Sequence, residues 1–147
     1  MLTALMFQSS KVQKFKDNQD IENCLKTVFD IKTGKIDENI DETGEQACPE
    51  NNMLLIDDIA LFVLFLCQMT TGGLEIVSST HDIDFIQNLV YYLERAYRVA
   101  DHGPHKNPKT KKTLHASTIG ISKAALEAAY QCNLFGKYRV VLLKCQI

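Results

Sequence analysis

The run Ile59-Ala60-Leu61-Phe62-Val63-Leu64-Phe65-Leu66-Cys67 is apolar on every side of any helix it could form. Asp57 or Asp58 opens it and Gly72-Gly73 closes it, so the spacing predicts a helix from Ile59 to about Thr71. The run is far short of the roughly 18 or more apolar residues that cross a bilayer. A helix apolar all round must be enclosed by other elements. What the rest of the chain offers for that enclosure decides the architecture.

A second helix is predicted from about Asp82 to Arg98, with Ser79 or Thr80 as its N-cap. Asp82 and Asp84 lie toward the positive end of its dipole, Arg95 and Arg98 toward the negative end. Ile83, Ile86, Leu89, Val90, Leu93 and Tyr97 form its buried stripe. A third helix covers about Ser117 to Cys132 and ends at Leu134-Phe135-Gly136. Gly120, Ala124, Ala125, Ala128 and Ala129 give it a small-residue face suited to close helix contact.

Residues 1 to 16 read as the tail of a helix on Leu2, Leu5, Met6 and Val12, uncapped as though residues had preceded it. Residues 17 to 52 are polar and turn-rich (Thr33-Gly34, Thr43-Gly44, Cys48-Pro49), with one apolar patch at Leu25, Val28, Phe29 and Ile31. A loop of that length is uncommon inside a compact domain and tends to be functional or mobile. Tyr138 to Ile147, with strand-like Val140-Val141-Leu142-Leu143, fits nothing before it. Antiparallel helix pairs around an enclosed inner layer imply an all-α, α/α arrangement. Too few helices are present to enclose Ile59–Cys67 completely, as expected of a section of something larger.

The chain has 147 residues, the length of one domain, and at 46% hydrophobic and 23% charged it has globular composition. Sixteen Lys and Arg against eighteen Asp and Glu give a net charge of −2, which excludes the basic excess of a nucleic-acid binder. Cys24, Cys48, Cys67, Cys132 and Cys145 are odd in number and form no CxxC, so free thiols in a reducing compartment are expected. Met1 to Phe7 lacks the basic leader and cleavage pattern of a signal peptide. Lys144-Cys145-Gln146-Ile147 sets its cysteine one place too late for a prenylation box.

The residues that could carry chemistry each have a plainer reading. Asp101, His102 and His105 have a spacing that could hold a cation, but they sit in a Pro-rich polar loop with no fourth ligand nearby. His81 and His115 stand beside helix starts, where polar residues are routine. Asp57-Asp58 could supply the two acidic groups of glycoside hydrolysis, yet adjacent carboxylates at a helix start more often serve the cap and the dipole. Glu75 and Asp84 make no convincing second carboxylate. Lys106, Lys109, Lys111 and Lys112 form a basic cluster without interleaved aromatics, as a solvated loop would. Nucleophile motifs and phosphate-binding glycine loops are absent, and no basic amphipathic helix of the calmodulin-target type stands out.

Three longer stretches carry a resemblance. They are Leu64-Phe65-Leu66-Cys67-Gln68-Met69-Thr70-Thr71-Gly72-Gly73-Leu74, then Asp84-Phe85-Ile86-Gln87-Asn88-Leu89-Val90-Tyr91-Tyr92-Leu93-Glu94-Arg95-Ala96-Tyr97-Arg98-Val99. The third is Lys123-Ala124-Ala125-Leu126-Glu127-Ala128 with Asn133-Leu134-Phe135-Gly136. Over residues 1 to 136 the chain resembles the regulatory alpha and beta subunits of phosphorylase b kinase. Val12 to Lys16 and Cys24-Leu25-Lys26-Thr27-Val28-Phe29 to Thr33-Gly34 look closer to beta.

The resemblance implies a section (residues 1–136) of a glucoamylase-like (α/α)₆ toroid built of helical hairpins with a long loop, followed by a divergent tail (137–147). It implies a non-catalytic regulatory or scaffolding role in glycogen breakdown, with other phosphorylase kinase subunits as partners and calmodulin as a further one. It implies a cytoplasmic location, any membrane association being made through the holoenzyme. Where the family has a Trp-Gly-His type sugar segment, this chain has Asn51-Asn52-Met53. Where the family has a Trp-Glu pair matching the glucoamylase general acid, it has His102-Gly103-Pro104-His105-Lys106-Asn107-Pro108 and no carboxylate. Only Asp57 matches a polar cleft position. Without a proton donor for the leaving oxygen, hydrolysis loses its first step. No catalytic, cofactor-binding or metal residue is therefore expected, and the rivals are a glucoamylase-type glycosidase and a stand-alone helical interaction module.

Overall fold

A computed structural model describes residues 2–19, 23–26, 29–30, 32–33, 56–100 and 113–132. These residues form α1 (Leu2–Met6), α2 (Ser9–Asp17), α3 (Ile56–Thr71), α4 (Thr80–Ala96) and α5 (Ala116–Gln131). The predicted turns at Thr43-Gly44 and Cys48-Pro49, the lysine loop and the strand-like tail lie outside the described residues.

The predicted opening helix is two helices. Its apolar rhythm survives, with Leu5, Val12 and Phe15 buried, but the helix breaks at Phe7-Gln8. Gln8 commits its buried amide to another segment: its Nε2 donates to the Lys26 carbonyl at 2.7 Å and its Oε1 accepts from the Lys26 N–H at 2.9 Å. The pair of bonds imitates one rung of a strand ladder and docks residues 23–26 onto the helices. Leu25 enters the core there, and the Leu25 N–H donates to the Tyr92 hydroxyl at 3.3 Å. Part of the predicted polar loop is thus core-forming.

α3 begins at Ile56, three residues earlier than predicted, placing Asp57 and Asp58 inside the first turn where the dipole favours negative charge. It ends as predicted. Gly73 takes φ 88°, the left-handed conformation that glycine adopts without a side-chain clash. The Leu74 N–H donates to the Met69 carbonyl at 3.0 Å and the Gly73 N–H to the Thr70 carbonyl at 3.0 Å, the paired bonds of a Schellman C-cap.

α4 begins with the predicted Ser79 cap. The Asp82 N–H donates to Ser79 Oγ at 3.1 Å, and the Ser79 N–H donates back to the Asp82 carboxylate at 3.0 Å. This capping box satisfies donors that a helix start leaves open. The buried face of α4 is wider than the predicted stripe, because Phe85, Gln87, Tyr92 and Ala96 are buried as well, while Ile83 and Tyr97 are only half-buried.

The contact face of α5 differs from the prediction. Gly120 and Ala124 face solvent, and the stripe in contact is Thr118, Ser122, Ala125 and Ala129. These residues repeat at i, i+4, i+7 and i+11, and they are small, which lets α3 approach closely. The sequence holds two overlapping small-residue stripes, and the one that includes the polar Thr118 and Ser122 makes the contact.

α3 packs on α5, α2 packs on α4, and α4 also touches α3 and α5. The result is a double layer, with α3 and α5 side by side and α2 and α4 behind, as an α/α arrangement requires. Phe15 and Tyr92 join the back layer, their ring centroids 4.6 Å apart and tilted by 49°. Contacts of that kind add about 0.5–1.5 kcal/mol beyond the area they bury. Lys16 Nζ donates to Asn88 Oδ1 at 2.9 Å and lies 5.3 Å from the centre of the Tyr91 ring.

Enclosure of α3 is partial. Ile59, Ala60, Phe62, Val63, Leu66 and Cys67 are buried, but Leu61 is 40% and Phe65 55% exposed. One turn apart, they make an exposed apolar stripe on α3.

Candidate functional site

α3 and α5 run parallel, because the start of one meets the start of the other: Thr118 Oγ1 donates to Asp57 Oδ1 at 3.5 Å. Asp57 is half-buried at this amino-terminal rim, and Thr118 is buried beside it. His115 N-caps α5 without a side-chain cap bond, and its Nε2 lies 3.1 Å from Thr113 Oγ1.

Among the described residues the rim assembles no pair of acids. Asp57 and Asp58 are consecutive on one helix, so their side chains diverge by about 100° around its axis and cannot flank a single bond. Glu75 follows the far end of α3, whose sixteen residues span about 24 Å. Asp84 is exposed on α4. His81 is exposed at the start of α4. Asp101, His102, His105 and the four lysines lie outside the described residues. Among the described residues no three His, Cys, Asp or Glu side chains converge as a metal site would need. No helix of the described residues is long and apolar enough to cross a membrane.

The opposite end of the same helix pair holds an open cleft of about 750 Å³, lined by Leu64, Cys67, Gln68, Thr71, Gln131 and Cys132 among others. Cys67 and Cys132 are both free thiols. Burial pushes the Cys67 thiol up to about 12, and a hydrogen bond shared with the Cys132 thiol adds to the shift. Cys67 is buried, whereas Cys132 is half-exposed on the residue where the backbone leaves α5. Reading the cysteines by sequence spacing alone missed this pair. The available signal was that each sits at the carboxyl end of a predicted helix.

Comparison with known proteins places these elements. Residues 6–145 match the model of the glycosyl hydrolases family 15. The chain is 41% identical over 136 residues to the probable phosphorylase b kinase regulatory subunit beta of Drosophila melanogaster, covering 88% of this chain. It is 42% identical over 142 residues to the probable regulatory subunit alpha of the same organism, covering 92%. To the liver isoform of the alpha subunit from Mus musculus it is 39% identical, covering 94%. Identity to alpha and to beta is thus near-equal. The chain spans 12% of the length of the beta relative and 11% of each alpha relative.

Proposed function

The chain belongs to the glycosyl hydrolases family 15, as a relative of the phosphorylase b kinase regulatory subunits, and from that premise we propose that it is a non-catalytic regulatory element acting in the control of glycogen breakdown. The family's fold is the glucoamylase-like (α/α)₆ toroid, and the double layer of α2 and α4 behind α3 and α5 is a section of it. The observation that carries the proposal is the identity of 37–42% to proteins named regulatory subunits. The loss of chemistry in the sequence supports it: residues 102–108 hold no carboxylate where the family's general acid belongs. Among the described residues, Asp57 with Asp58 diverging on the same helix cannot both protonate a leaving oxygen and attack or activate water.

On this reading the partners are other subunits of a phosphorylase kinase assembly, in the cytoplasm, with calmodulin as a further partner. Residues 1–136 carry the helical section and 137–147 a divergent tail, although the family match itself extends to residue 145. Calcium-dependent retention on immobilised calmodulin checks the further partner. An assay for glucose release from maltose, isomaltose and soluble starch separates the regulatory reading from the glycosidase. We expect no release above a heat-killed control. Release that disappears on Asp57→Ala would establish the hydrolase instead.

A further inference from the structure

The cleft at the carboxyl ends of α3 and α5 brings two thiols from different helices to its wall. Cys67 lies one turn before the end of α3, and Cys132 is the C-cap of α5. Both line the one cleft, and neither is engaged in a disulfide. Nothing in the regulatory reading uses them. Cys24, the other described cysteine, is buried beside Tyr92 and has no part in this wall.

We propose that Cys67 and Cys132 are a reversible thiol–disulfide pair, a redox modification site that locks the carboxyl ends of the two inner helices together. The geometry favours closure. A disulfide draws the sulfur atoms to about 2.05 Å, and these two thiols stand on one cleft wall between helices packed side by side. Cys132 can make that approach, because its backbone is extended (φ −76°, ψ 141°) at the point where helical constraint ends. The cleft, at about 750 Å³, admits a small oxidant.

The two thiols have distinct roles. Cys132 is the one that solvent reaches first, and Cys67 is the buried resolving thiol. Hydrogen peroxide is the oxidant class. The Cys132 thiolate attacks one peroxide oxygen, the O–O bond breaks, and hydroxide leaves to take a proton as water, giving a sulfenic acid. The Cys67 sulfur then attacks the Cys132 sulfur, the S–O bond breaks, and the departing hydroxide carries the Cys67 proton away as water. Two thiols and one peroxide give one disulfide and two waters.

The test uses the full chain, freshly reduced and then treated with a graded series of hydrogen peroxide, with non-reducing peptide mapping by mass spectrometry. The expected product is a peptide linking Cys67 to Cys132, reversed by dithiothreitol, with melting shifted upward by several degrees in the oxidised form. Cys67→Ser should leave a sulfenic acid at Cys132 that dimedone traps. Cys132→Ser should slow loss of the Cys67 thiol by about tenfold or more, since the buried, protonated thiol is a poor nucleophile. Wild-type chain in which Cys132 proceeds to sulfinic acid, or links to any other cysteine while Cys67 stays a free thiol, would overturn the proposal. The mapping of the wild type decides this even if a variant folds poorly.

Discussion

The hydroxyl of Tyr92 accepts a hydrogen bond from the Leu25 backbone N–H at 3.3 Å, joining a loop residue to a helix residue 67 positions away. Tyr92 is fully buried, so the bond is what satisfies this loop donor inside the core. Tyr92→Phe keeps the ring against Phe15 and strands the Leu25 N–H, which should cost roughly 1–3 kcal/mol. Urea unfolding checks it, and an unmoved midpoint would mean that the loop is not anchored there.

The same burial sets an alkaline limit. Burial, helped by the neighbouring Cys24 thiol, pushes the Tyr92 hydroxyl well above its usual range. The folded chain therefore keeps a proton that the unfolded chain releases near pH 10, so stability falls as pH rises above that point. In an absorbance titration of tyrosinate, at least one of the five tyrosines should ionise only as the chain unfolds. Full ionisation of all five with helical circular dichroism intact would contradict it.

Two glycines, Gly73 just past the end of α3 and Gly120 within α5, should respond in opposite directions. Gly73 stands at φ 88°, so Gly73→Ala strains the backbone by about 1–2 kcal/mol even though a Cβ there would touch nothing. Gly120 lies in the exposed interior of α5 with open space around it, so Gly120→Ala should stabilise by about 0.5–1 kcal/mol. Melting temperatures that move the same way for both would refute the assigned backbone conformations.

The start of α4 should be acid-sensitive. The Ser79 hydroxyl and backbone, with Ser78, hold the Asp82 carboxylate below its usual range. A lowered folded value means that the contribution is present above the ordinary carboxylate range and is lost as pH falls through the folded value. Ser79→Ala should cost about 1 kcal/mol at neutral pH. Asp82→Asn should destabilise at neutral pH and match wild type at the acid end of a stability–pH series. A constant difference across the series would remove the carboxylate from the account.

Much of this was legible beforehand because local chemistry decides it. Gly72-Gly73, Ser79 with Asp82, and the apolar run before them each specify a helix end or a helix face with few competitors. What escaped reading depends on partners distant in sequence. Gln8 is bound to Lys26, 18 positions away, and no local pattern records that bond. Thr118 and Ser122 are buried because the approach of α3 makes small size matter more than polarity, which the sequence of α5 by itself does not record. The Cys67–Cys132 contact needed the parallel packing of α3 and α5, which no periodicity in either helix records.

Leu61 and Phe65 test the apolar stripe on α3. At 40% and 55% exposure they contribute little to the core, so Leu61→Lys with Phe65→Lys should leave the unfolding midpoint nearly unchanged while abolishing hydrophobic-dye binding and self-association. Phe62→Ala, one residue from Leu61 but buried, should cost roughly 3–5 kcal/mol. A dye signal that survives the double lysine variant would place the exposed apolar surface elsewhere.

The central claim is that this chain keeps a regulatory subunit's associations and has no hydrolase chemistry. Its most direct test is affinity capture from host lysate with the tagged chain as bait, read by mass spectrometry beside a full-length regulatory subunit as the positive control. We expect a phosphorylase kinase catalytic or regulatory subunit to be recovered with both baits. Recovery with the full-length bait and none with this chain would contradict the claim and leave a stand-alone helical module.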